Sequence, residues 1–97
     1  TGATLTDADL TGATLTDAIL TGADLFQTNL TRVKLQNAKL MGLDLSRGLG
    51  RNGLNLTGAN LTEADLTGAN LTKVNLKDAI LTGVIGADFT GALNVPD

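Results

Sequence analysis

Leucine recurs at every fifth residue through most of this chain. An α-helix places its buried residues at a period near 3.6 and a strand at a period of 2, so a strict period of five excludes one continuous element of either kind. The fifteen leucines of the series are Leu5, Leu10, Leu15, Leu20, Leu25, Leu30, Leu35, Leu40, Leu45, Leu56, Leu61, Leu66, Leu71, Leu76 and Leu81. We therefore predict a coil in which each five-residue unit makes a short extended segment and then a turn.

Each position of the five-residue unit has its own residue type. Two residues before the leucine stands a small apolar residue, most often Ala, which predicts a second inward position with little room. The residue between them is mostly Asp or Asn and points outward, as alternation along a strand requires. Thr usually follows the leucine, and Gly comes next in six units, where it permits the positive φ of a type II turn. At that same position, Asp7, Asp17, Glu63 and Lys73 are expected to form other turn types.

Several units match one pattern closely, namely Ala-Asp-Leu-Thr-Gly at 8–12, Ala-Asn-Leu-Thr-Glu at 59–63 and Ala-Asn-Leu-Thr-Lys at 69–73. These units resemble the A(D/N)LXX signature of pentapeptide-repeat proteins, and the resemblance extends over residues 1–47 and 54–83. It implies an all-β fold, a right-handed quadrilateral β-helix or solenoid, with four units in each of about four to five coils.

The resemblance also implies which leucines stack. With four units per coil, residues twenty apart lie above one another at the roughly 4.8 Å spacing of neighbouring strands. Leu45 and Leu56 are eleven residues apart, and we interpret this slip as one extra residue, after which stacking resumes at an offset of twenty-one. The predicted core columns are Leu5, Leu25, Leu45 and Leu66, and Leu15, Leu35, Leu56 and Leu76.

The slip marks an irregular corner at residues 46–53 within a single domain that spans 1–97. The segment holds three glycines and is either a tolerated insertion or part of a binding face, where insertions in solenoids often lie. Its residues 48–53 match GxGxxG, but no helix pattern or βαβ unit follows, which excludes a dinucleotide site. The Asn-Leu-Thr sequons in the chain arise from the repeat and do not predict glycosylation.

Two groups of charged residues are candidate surface interaction sites. Stacking is expected to bring Asp24, Asp44 and Asp65 into one acidic column, which is either a solvated ladder or a weak site for a cation or a cationic partner. Five of the seven basic residues lie in the middle third of the chain, and Arg47 and Arg51 among them fall in the irregular corner. These two arginines belong either to an ordinary solvated surface or to an anion site.

The composition offers few groups for catalysis. The chain has no Cys, His, Tyr or Trp, which removes the usual nucleophile–base pairs, and a leucine-filled column encloses no cleft for paired carboxylates. We therefore expect no enzyme, no catalytic residue, no cofactor and no metal site. The net charge of −3 disfavours direct nucleic-acid binding. No apolar run reaches the roughly 20 residues of a membrane span, so no membrane association is expected.

The five-residue leucine period is interrupted again at residues 84–97, near the C-terminus. There we expect a cap in which Phe89, Leu93 and Val95 fold over the last coil, because an open coil end exposes backbone donors and acceptors. The N-terminal coil offers no comparable feature. We expect that coil either to continue into an upstream segment or to be covered by another molecule.

Two classes of function follow. The favoured one is a non-enzymatic structural or protein-interaction module, whose partner is an unknown protein or a second copy stacked end to end as a dimer. The alternative is an acidic DNA mimic that acts on DNA gyrase or a related topoisomerase, as the resemblance implies for a few family members, although the basic cluster from Arg32 to Arg51 argues against it. The resemblance suggests a cyanobacterial-type protein. The compartment stays open, with the cytoplasm favoured and the thylakoid lumen or periplasm as alternatives if a leader was removed.

Overall fold

The computed structural model describes residues 4–96, which form a column of stacked coils. Within these residues there is no helix and no strand longer than one residue, because each unit contributes a single residue to a parallel bridge with the neighbouring coil. Bridged residues of the first two coils are twenty apart, as in Asp9 with Asn29, so four five-residue units complete a coil. The predicted inward Ala3 and the last predicted cap residue, Asp97, lie outside the described residues.

The column has four faces, and one outward residue per unit identifies each face. The Gln27 N–H donates to the Arg47 carbonyl at 2.7 Å, which joins the units that contain Asp24 and Asp44 in neighbouring coils. Asp24 and Asp44 therefore lie on the same face. Face A carries Thr4, Asp24, Asp44 and Asn70; face B carries Asp9, Asn29, Asn55, Asn75 and Leu93; face C carries Thr14, Lys34, Asn60 and Ile80; face D carries Ile19, Lys39, Asp65 and Ile85.

The described units share one turn, whatever residue stands at its third position. In the first complete turn the Ala8 N–H donates to the Leu5 carbonyl at 3.0 Å, and Asp7 has a φ of 65°. The expectation that four non-glycine positions form other turn types is wrong, since φ is also positive at Asp17 (65), Glu63 (59) and Lys73 (62). Hydrogen bonds to the next coil fix the backbone on both sides of most of these turns, and they impose this conformation despite its cost of roughly 1–2 kcal/mol per residue.

The inward leucines make the core. From Leu20 to Leu76 every leucine of the fivefold series is buried, with at most 8% of its surface exposed. Leu5, Leu10, Leu15 and Leu81 are only partly buried and pack against that core. The difference arises because the first and last coils have a neighbour on one side only, whereas a leucine in a middle coil contacts leucines above and below.

The predicted register across the corner is wrong. Bridged residues there are 26 apart, as in Asn29 with Asn55 and Asp44 with Asn70, so six residues are inserted and not one. Leu66 therefore does not stack under Leu45, nor Leu56 under Leu35. The observed columns are Leu5–Leu25–Leu45–Leu71, Leu10–Leu30–Leu56–Leu76, Leu15–Leu35–Leu61–Leu81 and Leu20–Leu40–Leu66. A separation of eleven residues equals two units plus one residue or one unit plus six, and the hydrogen bonds between coils select the second.

Of the three residues predicted for the C-terminal cap, one packs inward and two lie at the surface. Phe89 is partly buried and packs against the core, but Leu93 and Val95 are 45% and 37% exposed. Leu93 cannot fold over the coil because its N–H donates to Val74 at 2.8 Å and its carbonyl accepts from Leu76 at 2.9 Å. These bonds hold it in an outward position on face B. The chain thus winds on, with a shorter step of eighteen residues between Asn75 and Leu93.

Candidate functional site

The irregular corner is an ordered loop that enlarges one turn of the coil. We call residues 46–53 the corner loop. The Leu54 N–H donates to the Leu45 carbonyl at 2.9 Å, which is the bond that closes every ordinary turn, but eight residues lie between its ends instead of two. Inside the loop the Gly48 N–H donates to the Asn52 carbonyl at 2.8 Å. The Gly53 N–H donates to the Lys73 carbonyl at 3.0 Å and ties the loop to the next coil.

Two glycines allow the corner loop to pack this closely. Gly48 and Gly53 are buried, and neither position has room for a side chain. A Cβ on Gly48 would lie 2.1 Å from the Gly53 carbonyl oxygen, and a Cβ on Gly53 would lie 2.6 Å from the Val74 nitrogen. Gly50 differs, because its φ is +64° and nothing lies within 4 Å of its Cβ position. The loop base is therefore tightly packed, while its tip is open to solvent.

Arg47 is held at the start of the corner loop by two side chains. Its guanidinium carbon lies 5.4 Å from the centre of the Phe26 ring, within the range of a cation–π contact. Its Nε lies 3.7 Å from Oδ2 of Asp44, and this is the one ion pair within residues 4–96. The Arg47 side chain is still 67% exposed. Its other guanidinium N–H groups thus remain accessible to a ligand.

Two depressions border the corner loop. The first, which we call the arginine cleft, has a volume of about 490 Å³, and its lining includes Phe26, Gln27, Arg47, Arg51 and Asn52. The second, which we call the amide groove, has a volume of about 170 Å³, and its lining includes Gln27, Asn29, Leu49, Asn52 and Asn55. Leu49 is 70% exposed beside this groove. The loop therefore presents two cations and one aliphatic side chain next to several amides.

The three acidic candidates do not form one column. Asp65 is on face D, bridged to Lys39, whereas Asp24 and Asp44 are on face A, where Asn70 follows Asp44. The prediction of a continuous acidic ladder is wrong, because it depended on the twenty-one-residue offset. Within residues 4–96, no group of three acidic side chains is arranged to hold a metal ion.

Most outward acids and amides have a local structural role. In these units the outward Asp or Asn Oδ1 accepts two hydrogen bonds from the Thr two residues later, one from its N–H and one from its hydroxyl. The units that do so are Asp9–Thr11, Asn29–Thr31, Asn55–Thr57, Asn60–Thr62, Asp65–Thr67, Asn70–Thr72 and Asp88–Thr90. This motif explains why Asp or Asn precedes the leucine and Thr follows it.

A family profile for pentapeptide repeats matches eight copies in this sequence, over residues 1–32, 8–47 and 52–91. The coil of four five-residue units agrees with that match. The chain belongs to the pentapeptide-repeat family. The sequence matches no curated protein. Within residues 4–96, no helix is long and apolar enough to cross a bilayer.

Two solved pentapeptide-repeat structures are similar to this chain. One is a protein from the thylakoid lumen of Arabidopsis thaliana, with 33% identity and a TM-score of 0.75 over 95% of this chain and 65% of its own. The other is HetL, involved in heterocyst differentiation regulation in the cyanobacterium Nostoc sp. strain PCC 7120, with 31% identity and a TM-score of 0.60 over 96% of this chain and 50% of its own. This pentapeptide-repeat chain thus spans between half and two thirds of these relatives.

The Asp–Thr motif predicts an acid-sensitive contribution to stability. The hydroxyl of the following Thr, and then its N–H, lower the pKa of Asp9, Asp65 and Asp88 below the ordinary value of 3.8. A lowered folded-state pKa gives stability that is complete above the unfolded-state pKa and is lost as the pH falls through the folded-state pKa. We therefore expect the thermal midpoint to fall as the pH is lowered below 3.8.

The repeat supplies a matched control for this pH effect. The triple variant Asp9→Asn/Asp65→Asn/Asp88→Asn keeps an Oδ1 acceptor, as Asn60 and Asn70 do in their own units. Thermal melts from pH 7 down to pH 2 should show similar midpoints for the two proteins at neutral pH and a smaller acid-induced decrease for the variant. Identical pH dependence in the two proteins would contradict this account.

The two arginines of the corner were predicted from the sequence, but the residues around them were not. Phe26 follows a leucine where Thr6 and Ser46 stand in the neighbouring coils, so it departs from the repeat, and this departure was a usable signal. Leu49 and Asn52 carried no such signal, because they lie in the inserted segment, where the repeat predicts no residue type. Ile80 and Ile85, which are 46% and 50% exposed, occupy outward positions that are polar in most units, and this signal was also present in the sequence.

Proposed function

We propose that this pentapeptide-repeat chain is a non-enzymatic structural and protein-interaction module that associates with a second copy through its last coil. The proposal includes the fold expected from the family, a right-handed quadrilateral β-helix. It is supported by four units per coil, parallel bridges and a solidly filled interior. A filled column leaves no interior cleft in which a substrate could be desolvated.

The observation that carries the self-association is the open edge of the last coil. In the coil before it, the N–H groups of Leu61 and Glu63 donate to the carbonyls of Ile80 and Thr82 at 2.8 and 2.9 Å. The equivalent N–H groups of Leu81 and Gly83 donate to no acceptor within residues 4–96. Unpaired donors on a coil edge are a template for another β-edge.

Exposed aliphatic side chains lie beside this edge. Ile80 and Ile85 follow Asn60 and Asp65 on faces C and D, and Leu93 follows Asn75 on face B. Outward positions in the middle coils are polar, whereas these aliphatic residues lie at the end that has unpaired donors, and Ile19, which is 55% exposed, lies in the first coil. The donors and acceptors of the first coil match those of the last coil in the way that internal coils match. End-to-end stacking of two copies therefore continues the existing hydrogen-bond pattern.

Sedimentation velocity over a wide concentration range tests this proposal. The variant Ile80→Asn/Ile85→Asp restores the residues that stand one coil earlier on the same faces, and Leu49→Asn makes a comparable change on the corner loop. The wild-type protein and Leu49→Asn should associate as concentration rises, while the double variant should remain monomeric. A wild-type protein that stays monomeric at its solubility limit, or a double variant that associates equally well, would contradict self-association.

The described charges give no support to the DNA-mimic alternative. Lys39 lies beside Asp65 on face D, and Asn70 interrupts the acids of face A. The surface is therefore a mixture of charges and not a continuous acidic rod, and we do not propose action on a topoisomerase.

A further inference from the structure

Departures from the repeat are concentrated at one corner of the column. Phe26 replaces the usual Thr, Gln27 replaces the usual Gly or Asp of the turn, and the corner loop lies directly below them. Thr28 replaces the usual Ala, and its buried hydroxyl donates to the Leu25 carbonyl at 2.6 Å and lies 3.0 Å from the Leu5 carbonyl oxygen. Thr28 thus joins two coils, whereas Phe26 and Gln27 line the arginine cleft, where a ligand would contact them.

The arginine cleft is prepared for an anionic group. The Phe26 ring and Asp44 both contact Arg47 and favour the position in which it lines the cleft, which lowers the side-chain entropy lost when a ligand binds. Arg51 lines the same cleft and has no acidic partner at ion-pair distance within residues 4–96. No acidic residue lines the cleft. Two guanidinium groups with one acid nearby favour a carboxylate-bearing ligand.

The neighbouring amide groove adds a preference for a peptide. Side-chain amides of Gln27, Asn29 and Asn55 line it, and each can donate N–H groups to a peptide carbonyl. The Oδ1 atoms of Asn29 and Asn55 already accept two hydrogen bonds each from the Thr two residues later, so of these three amides only that of Gln27 can also accept from a peptide N–H. Leu49 lies exposed at its border and offers an aliphatic contact. A small inorganic anion would use the arginines alone, whereas an extended acidic peptide would use the arginines, the amides and Leu49 together.

We infer that the corner loop binds an acidic segment of a partner protein, with carboxylates at Arg47 and Arg51 and an adjacent aliphatic side chain at Leu49. This inference rests on the chain being a binding module, but it is independent of self-association, since the loop and the edge formed by Leu81 and Gly83 are different surfaces. Phe26 is a positioning residue in this account, because it acts through Arg47.

The test is an amide chemical-shift titration of the full chain with the capped tripeptide Glu-Leu-Glu, its neutral counterpart Gln-Leu-Gln and inorganic phosphate. Glu-Leu-Glu should give saturable shifts at residues 26–27 and 47–52. The Arg47→Gln/Arg51→Gln variant should weaken that binding roughly tenfold or more. Phe26→Thr should weaken it by a smaller factor. Arg32→Gln/Lys34→Gln removes the same charge elsewhere and should leave the binding within about twofold.

Four outcomes would overturn the inference. They are the absence of saturable shifts with Glu-Leu-Glu, equal weakening by the two double variants, equal binding of Gln-Leu-Gln, and binding of phosphate as tight as that of the tripeptide. Thermal melts of each variant separate a loss of binding from a loss of folding. Sedimentation of the same samples keeps the result distinct from self-association, because Arg47→Gln/Arg51→Gln should associate as the wild-type protein does.

Discussion

Leu61→Ala is expected to lower the free energy of unfolding by about 2–5 kcal/mol, because the leucine is fully buried between Leu35 and Leu81 in one inward column. The loss combines the hydrophobic transfer of the side chain with the cost of the cavity that it leaves. Neighbouring coils are tied by hydrogen bonds on both sides, for example from Leu35 N–H to the Asn60 carbonyl at 2.8 Å, so they cannot collapse into the space. Urea unfolding monitored by circular dichroism measures the change.

Leu49→Ala is the matched control for this substitution. It removes the same atoms from a side chain that is 70% exposed on the corner loop, so the expected change is within about 0.5 kcal/mol. If the two variants lost equal stability, the assignment of Leu61 to the interior and of Leu49 to the surface would be wrong.

Gly53→Ala is expected to cost more than about 2 kcal/mol, since the added methyl group would overlap backbone atoms of the next coil. The Cβ position is 2.6 Å from the Val74 nitrogen and 2.7 Å from the Thr72 carbonyl oxygen. Backbone cannot move aside as a flexible side chain can, so the Gly53–Lys73 hydrogen bond that ties the corner loop to the coil must lengthen or break. The same unfolding measurement applies.

Gly50→Ala serves as the control for this second prediction. Its Cβ would meet nothing within 4 Å, and only the φ of +64° penalises it, by roughly 1–2 kcal/mol. A Gly53→Ala protein as stable as Gly50→Ala would show that the loop base is not packed against residues 72–74.

The repeat made most of the fold predictable. One inward leucine per unit follows from the period of five, and the outward Asp or Asn with its following Thr follows from alternation and local hydrogen bonding. The register of the coils across the corner loop could not be predicted from the repeat. A slip of one residue in a period of five is compatible with an insertion of one or six, and only hydrogen bonds between distant units distinguish them. The absence of a leucine at positions 50 and 51 was the available sign that no unit lies there.

The predictions for the turns and for the C-terminal end were wrong for a related reason. Local preference favours glycine at positive φ, yet hydrogen bonds on both sides hold Glu63 and Lys73 in that conformation. At the end of the column, Leu93 is apolar and was expected to be inward, but its backbone bonds to Val74 and Leu76 fix it outward. The candidate site was partly predictable, since the interruption located Arg47 and Arg51, whereas the contact between Arg47 and Phe26 depends on coil stacking.

Disulfide trapping tests the register of the coils most directly, because the chain has no native cysteine. Lys39 and Asp65 are bridged, so their Cα atoms are expected about 4.8 Å apart, within the range that a disulfide spans. Under mild oxidation, Lys39→Cys/Asp65→Cys should form an intramolecular disulfide, detected by mass spectrometry, while Asp44→Cys/Asp65→Cys should remain reduced. A disulfide in the second variant and none in the first would contradict the six-residue insertion and favour a one-residue slip.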